Sequence, residues 1–198
     1  LAQMVRDPYL VFFNHFNEEN NWKGVTLKEE NILFCKAVTR QFLRYSPVAI
    51  VKEVNPLLDY ELPKEWIYSH IGGQPITVSL KGRERQVAGF GRRCSLVLAD
   101  KDSGQPEDNP LMGLFQAYII PDIKEQDWER VGQAEHMSIE VFPTLNERLY
   151  LCYLYGKNIN PEQDISLGKP LLDDYETYVD ILTNSPEARR LYLGEYEE

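Results

Sequence analysis

The sequence has no apolar run near the ~18 residues that a membrane-spanning helix needs, so no membrane partner is expected. Its opening, LAQMVRDPYLVFF, has no basic n-region followed by an apolar core and a small-residue cleavage site, which reads against a signal peptide. Position 1 is Leu rather than Met, so the piece can be cut from a longer chain and that absence carries less weight. Cysteine is scarce. Cys35, Cys94 and Cys152 are odd in number, far apart and free of any CxxC spacing. That pattern disfavours a disulfide framework and a zinc knuckle. It fits buried thiols in a reducing compartment, and the expected location is the cytoplasm.

Catalytic and cofactor signatures are missing as well. GxxxxGK[ST], GxSxG, HExxH and a strand–GxGxxG–helix unit are all absent. His15, His70 and His136 stand apart, and Glu135, His136 and Glu140 do not share one strand face, so no metal site is expected. The loop DKDSGQPEDNP lacks the DxDxDG register of a calcium loop. Cys94 follows Arg92 and Arg93, which would favour thiolate, but alternation groups it with Leu96 and Leu98 in a core. No cofactor is implied, and the balance points away from an enzyme.

Positive charge is the last deficit. The chain carries 21 Lys and Arg against 31 Asp and Glu, a formal charge of -10. That field disfavours nucleic acid and anionic membrane, and suits a partner of positive charge. Against this background one segment stands out. SLKGRERQVAGFGRRCS, residues 79–95, holds Lys81, Arg83, Arg85, Arg92 and Arg93 against a single acid, Glu84.

What is present is ordinary for a globular chain: 43% apolar residues, 12% aromatics and 12 Tyr in 198 residues. The length suits one domain, or two small lobes sharing a core. The pattern predicts an α+β fold, an antiparallel meander of about five to seven strands covered by N-terminal and C-terminal helices. The N-terminal helical part spans about 1–46, the sheet-rich part about 47–156 and the C-terminal helical part about 157–198.

In the first part, Asp7-Pro8 reads as a helix start, with Tyr9, Phe12, Phe13 and Phe16 at helical spacing. Thr26 and Glu29 match a capping box for a second helix, which carries Phe34, Cys35, Val38, Phe42 and Tyr45 and stops at Ser46-Pro47. A strand is expected at 48–54, and a short helix at 62–71. Strands follow at 75–80, 83–89, 93–99 and 111–120, with turns at Lys81-Gly82 and Gly89–Gly91. The last strand is apolar on both faces and is expected to be covered on both. A short helix at 121–132 precedes 136–142 and 148–155, read as a hairpin. A competing reading makes 145–155 a helix, from a capping box at Thr144 and Glu147 to Gly156. Residues 156–169 read as a loose connection, Pro170 opens a helix through LLDDYETYVDIL, and Ser185-Pro186 caps another. The acids Asp173, Asp174, Glu176 and Asp180 suit that helix start through its dipole.

A two-residue turn at Lys81-Gly82 would pair Leu80 with Arg83 and Val78 with Arg85. Both arginines then share the face of Val78 and Leu80, and Arg93 would join them across the next turn. A bulge near Gly82 would relieve this. Otherwise the arginine stems lie over the apolar rim and lift their guanidinium groups out. The positive charge is neutralised either by internal acids or by something bound. For Lys81, Arg83, Arg85, Arg92 and Arg93 the bound candidates are an acidic protein surface and a small anionic ligand. The expected function is a soluble, non-catalytic interaction or assembly protein whose basic strand segment faces an acidic partner. The alternative is a binder of an anionic small molecule in a sheet–helix pocket.

Overall fold

A computed structural model describes residues 1–19, 21–46, 48–70, 75–87, 93–99, 115–140 and 142–183. The protein is mixed α and β, with largely antiparallel sheets. Its strands form sheets of four, three and two rather than one meander of five to seven. Its residues cluster into two compact units: Leu1–Leu62 with Ile139–Ile159, and Pro63–Ser138 with Asn160–Glu198.

The first unit is where sequence periodicity misled. Tyr9–Phe13 is strand β2, paired antiparallel with β1 (Ala2–Arg6) and with β3 (Ile32–Val38). All five residues of YLVFF are buried. A short apolar run covered on both faces matches helix and strand spacing equally well, and β-branched and aromatic content then favours the sheet. The predicted helix at 26–45 is likewise β3 followed by a short α1 (Arg40–Tyr45). The Thr26–Glu29 capping box does not form. Thr26 bridges Asn55, and the N-cap is Thr39, whose hydroxyl accepts from the Phe42 N–H at 3.4 Å. The stop at Ser46 holds, since α1 ends at Tyr45.

No strand forms at 48–54, and Val48 and Ile50 lie exposed there. A two-residue β9 (Ile139–Glu140) runs parallel to β3 in place of the expected 136–142 strand. Residues Thr144–Tyr155 form helix α3, closed by Gly156 in the left-handed conformation. The competing helical reading is therefore the correct one and the 148–155 strand is not. The capping box is absent even so, because Thr144 donates its hydroxyl to Glu140 Oε2 at 3.2 Å.

In the second unit β7 (Arg93–Ala99) lies between β4 (Glu65–His70) and β8 (Phe115–Ile120), antiparallel to both. The predicted helix at 62–71 is thus β4. Ile67, Cys94 and Leu96 face a core with Ile123 and Val131, and helix α4 (Pro161–Leu167) packs on β7. Helix α4 replaces the expected loose connection. Its signals are local: Asn160 accepts from the Gln163 N–H at 3.1 Å, Pro161 sits in the first turn, and Gly168 ends it at φ 70. The short helix expected at 121–132 appears as a 3-10 turn at Glu125–Asp127 leading into α2 (Trp128–Val131). The helix after Pro170 is a 3-10 turn at Asp173–Tyr175 followed by α5 (Glu176–Leu182).

Strand β8 departs from expectation in burial. Ala117, Tyr118 and Ile119 are exposed rather than covered on both sides. The Gly89–Gly91 turn, the loop DKDSGQPEDNP, residues 111–114 and the helix after Pro186 lie outside the described residues.

Candidate interaction site

Strands β5 (Ile76–Leu80) and β6 (Arg83–Val87) form a hairpin around Lys81-Gly82. Both turn residues have positive φ, 50 and 72. This is the primed turn geometry, whose twist matches that of paired strands. The register is the one the sequence implies, Leu80 to Arg83 and Val78 to Arg85, and it runs without a bulge. Ile76, Val78, Leu80 and Val87 are buried, while Thr77 and Ser79 are exposed. Arg83 and Arg85 therefore share the apolar face, and the second resolution applies: stems over the rim, head groups outward.

Helix α5 packs against β6 and supplies the acids. Lys81 Nζ donates to Glu176 Oε2 at 2.6 Å, and Arg85 donates to Asp180 Oδ1 at 2.5 Å. The Lys81 ammonium, with a smaller contribution from Arg83 and Arg85, holds the Glu176 carboxyl below its ordinary range. Glu176 in turn raises Lys81. These pairs are largely exposed, and water and salt screen such pairs strongly. Burying each of the four apolar side chains contributes ~1.5–3 kcal/mol. Packing holds the hairpin to α5, and the ion pairs set which charges remain for other work. Arg83 is exposed and forms no ion pair among the described residues.

Arg93 does not join this group through strand pairing. Strand β7 pairs with β4 and β8, not with β6, so Arg93 lies opposite His70. Directly paired residues share a face. Tyr68 meets His70 edge-on at 4.8 Å, and Tyr118 stacks on it at 6.3 Å. The Ser95 hydroxyl donates to the Pro121 carbonyl at 2.6 Å, so His70 Nε2 carries the hydrogen and donates to Ser95 Oγ at 2.8 Å. Arg93 itself is exposed, and Asp122, held below the usual carboxylate range first by Lys124, also feels Arg93 and His70. Arg92 lies outside the described residues.

The second unit also holds a cleft of about 490 Å³ between β5 and the end of α4. Trp128, Ile165 and Leu171 form its apolar lining, with Glu125, Asp164 and Lys169 as its charged groups. Lys169 is engaged, donating to Gln163 Oε1 at 2.6 Å and lying 3.7 Å from Asp164 Oδ1. The Tyr175 hydroxyl donates to the other Asp164 oxygen at 2.6 Å.

The cysteines are unbridged and buried. Cys94 lies in the core, where burial raises its thiol, and Ser69 Oγ is 3.5 Å from its sulfur and 3.1 Å from His136 Nδ1. Among the described residues no group of three His, Cys, Asp or Glu side chains is placed to hold a metal ion. Among them, too, no helix is long and apolar enough to cross a membrane.

Two features escaped sequence reasoning. Arg148, on α3, is fully buried, with its guanidinium 3.7 Å above the Phe34 ring. It donates to the Ile159 carbonyl and to Asn158 Oδ1, each at 3.1 Å, and lies 4.0 Å from Glu140. On the opposite side of the same helix Tyr150, Tyr153 and Leu154 are exposed. The helical stripe Thr144, Leu145, Arg148, Leu151, Cys152 was legible only if an arginine is allowed inside. Compared with family models, with curated proteins and with solved structures, the chain matches none.

Proposed function

We propose that this is a non-catalytic interaction or assembly protein that holds an acidic partner segment through its arginine-bearing strands. The observation that carries the reading is Arg93, exposed and paired opposite His70, whose ring meets Tyr68 and Tyr118. Arginine beside aromatic side chains is the composition enriched at protein contacts. Arg83 is the second available cation. Lys81 and Arg85 serve α5 instead, so they hold the hairpin rather than the partner.

The small-anion alternative finds less support. The cleft beside β5 carries two carboxylates, and its one lysine is already bonded.

The test compares wild type with Arg83→Glu/Arg93→Glu, both checked for folding by circular dichroism. Each is used as bait on nuclease-treated native lysate and titrated with a fluorescent Glu-rich peptide. A folded double variant that loses both the captured partner and the peptide supports the reading. A folded double variant that keeps both overturns it.

A further inference from the structure

Among the described residues the hairpin leaves one strand edge unpaired. In a two-residue hairpin the residues flanking the turn exchange both main-chain hydrogen bonds, and this alternates along the ladder. Leu80–Arg83, Val78–Arg85 and Ile76–Val87 are then the bonded pairs. The N–H and C=O groups of Thr77 and Ser79 point the other way. Among the described residues no strand lies on that side of β5. Residues Ile76 to Ser79 instead form one wall of the 490 Å³ cleft. The facing wall includes Ile165, Leu171 and Trp128, whose indole N–H is buried with no acceptor among the described residues.

We propose that this edge docks an extended, basic peptide of a partner protein, which adds a strand antiparallel or parallel to β5. The main-chain groups of Thr77 and Ser79 supply the affinity, as in other edge-strand additions. Side chains alternate along such a peptide, so every second one enters the cleft against Ile165, Leu171 and Trp128. Charge selects the sign. Asp164 and Lys169 neutralise each other, which leaves Glu125, exposed and without an ion pair among the described residues. The chain as a whole carries -10 and attracts cations. A second copy of this chain fits less well. Its β5 arrives with β6 attached and with α5 packed on β6, and its charge of the same sign repels. This surface is separate from the Arg93 face and has the opposite preference, so the two readings fail independently.

The experiment measures binding of two fluorescent eight-residue peptides by anisotropy at low salt, one alternating Val and Lys, the other Val and Glu. The Lys peptide is expected to bind at least about tenfold more tightly, and Glu125→Lys to reverse that order. N-methylation of the Lys peptide at alternate residues should abolish binding in one parity and spare it in the other. Ser79→Pro deletes an outward N–H while leaving the bonded pairs of the hairpin intact, and should weaken binding at least about tenfold. The peptide-side methylation keeps the test decisive if Ser79→Pro fails to fold. Binding of neither peptide, preference for the Glu peptide, or indifference to N-methyl parity overturns the proposal. So does a concentration-dependent dimer of the chain that Ser79→Pro dissolves, since the edge then serves a second copy.

Discussion

Arg148 of the first unit and the strand arginines of the second are held in opposite ways. In the first, Arg148 is wholly inside, laid over Phe34 and bonded to Ile159 and Asn158, while tyrosines of the same helix face out. On the strands of the second, Arg83 and Arg93 are exposed and Arg85 is half-buried with its guanidinium on Asp180. The difference teaches that an arginine's role follows from what its neighbours can satisfy. A guanidinium enters a core only where carbonyls, a carboxylate and a ring face meet its donors. The hairpin offers Arg85 one carboxylate, Asp180, and Arg83 no ion pair among the described residues, so neither enters a core.

The sharpest way to break this comparison is Arg148→Ala. It removes a buried charge that faces Glu140, and the expected loss is ~3–5 kcal/mol in urea unfolding. Arg148→Met fills the volume without the charge, and some of that loss should return. Equal losses in both variants would mean that volume contributes nothing there and that the charge and its bonds alone matter. Gly82→Ala comes next. Open space surrounds the added methyl, but φ is 72, so the conformation alone should cost ~1 kcal/mol. Arg85→Ala should cost less, ~0.2–1 kcal/mol, because the pair with Asp180 is partly exposed. A loss as large as that of Arg148→Ala would abolish the contrast between the two arginine settings.

The smallest effect sharpens the comparison through pH. Glu176 is depressed, so its contribution is present above its ordinary value of 4.5 and lost as pH falls through the lowered one. Lys81 is raised, so its contribution is present below 10.5 and lost as pH rises through the raised value. The stability difference between wild type and Lys81→Ala should therefore be level across neutral pH and vanish at both ends. A difference that persists in strong acid would show that Lys81 acts through the turn and not through Glu176.

Some of this was legible in advance. The turn at Lys81-Gly82, the register across it, the strands at 75–80 and 93–99, the short helix after 121 and the end of α1 at Ser46 all follow local rules of turn chemistry, alternation and capping. Three misreadings share one cause. YLVFF, ILFCKAV and EWIYSH are short apolar or mixed runs whose burial depends on what covers the second face, and periodicity alone does not arbitrate them. The burial of Arg148 has no local signature, since the ring and acceptors that satisfy it, Phe34, Ile159 and Asn158, lie outside its helix. Helix α4 carries its own local signals, Asn160, Pro161 and Gly168.

For the site, the sequence determined the hairpin, the facing of its side chains and the surplus of cations in 79–95, because these depend on residues a few positions apart. It also set the global acidity, which composition alone decides. Only the tertiary structure decided which cations are engaged. Glu176 and Asp180 lie 95 positions from Lys81 and Arg85, and no local pattern pairs them. The same holds for Arg93, separated from Arg83 and Arg85 by the pairing of β7 with β4, and for the cleft that α4 forms beside β5. Long-range packing chooses such neighbours by the apolar area it buries, and charges are satisfied or left exposed by where that packing happens to place them.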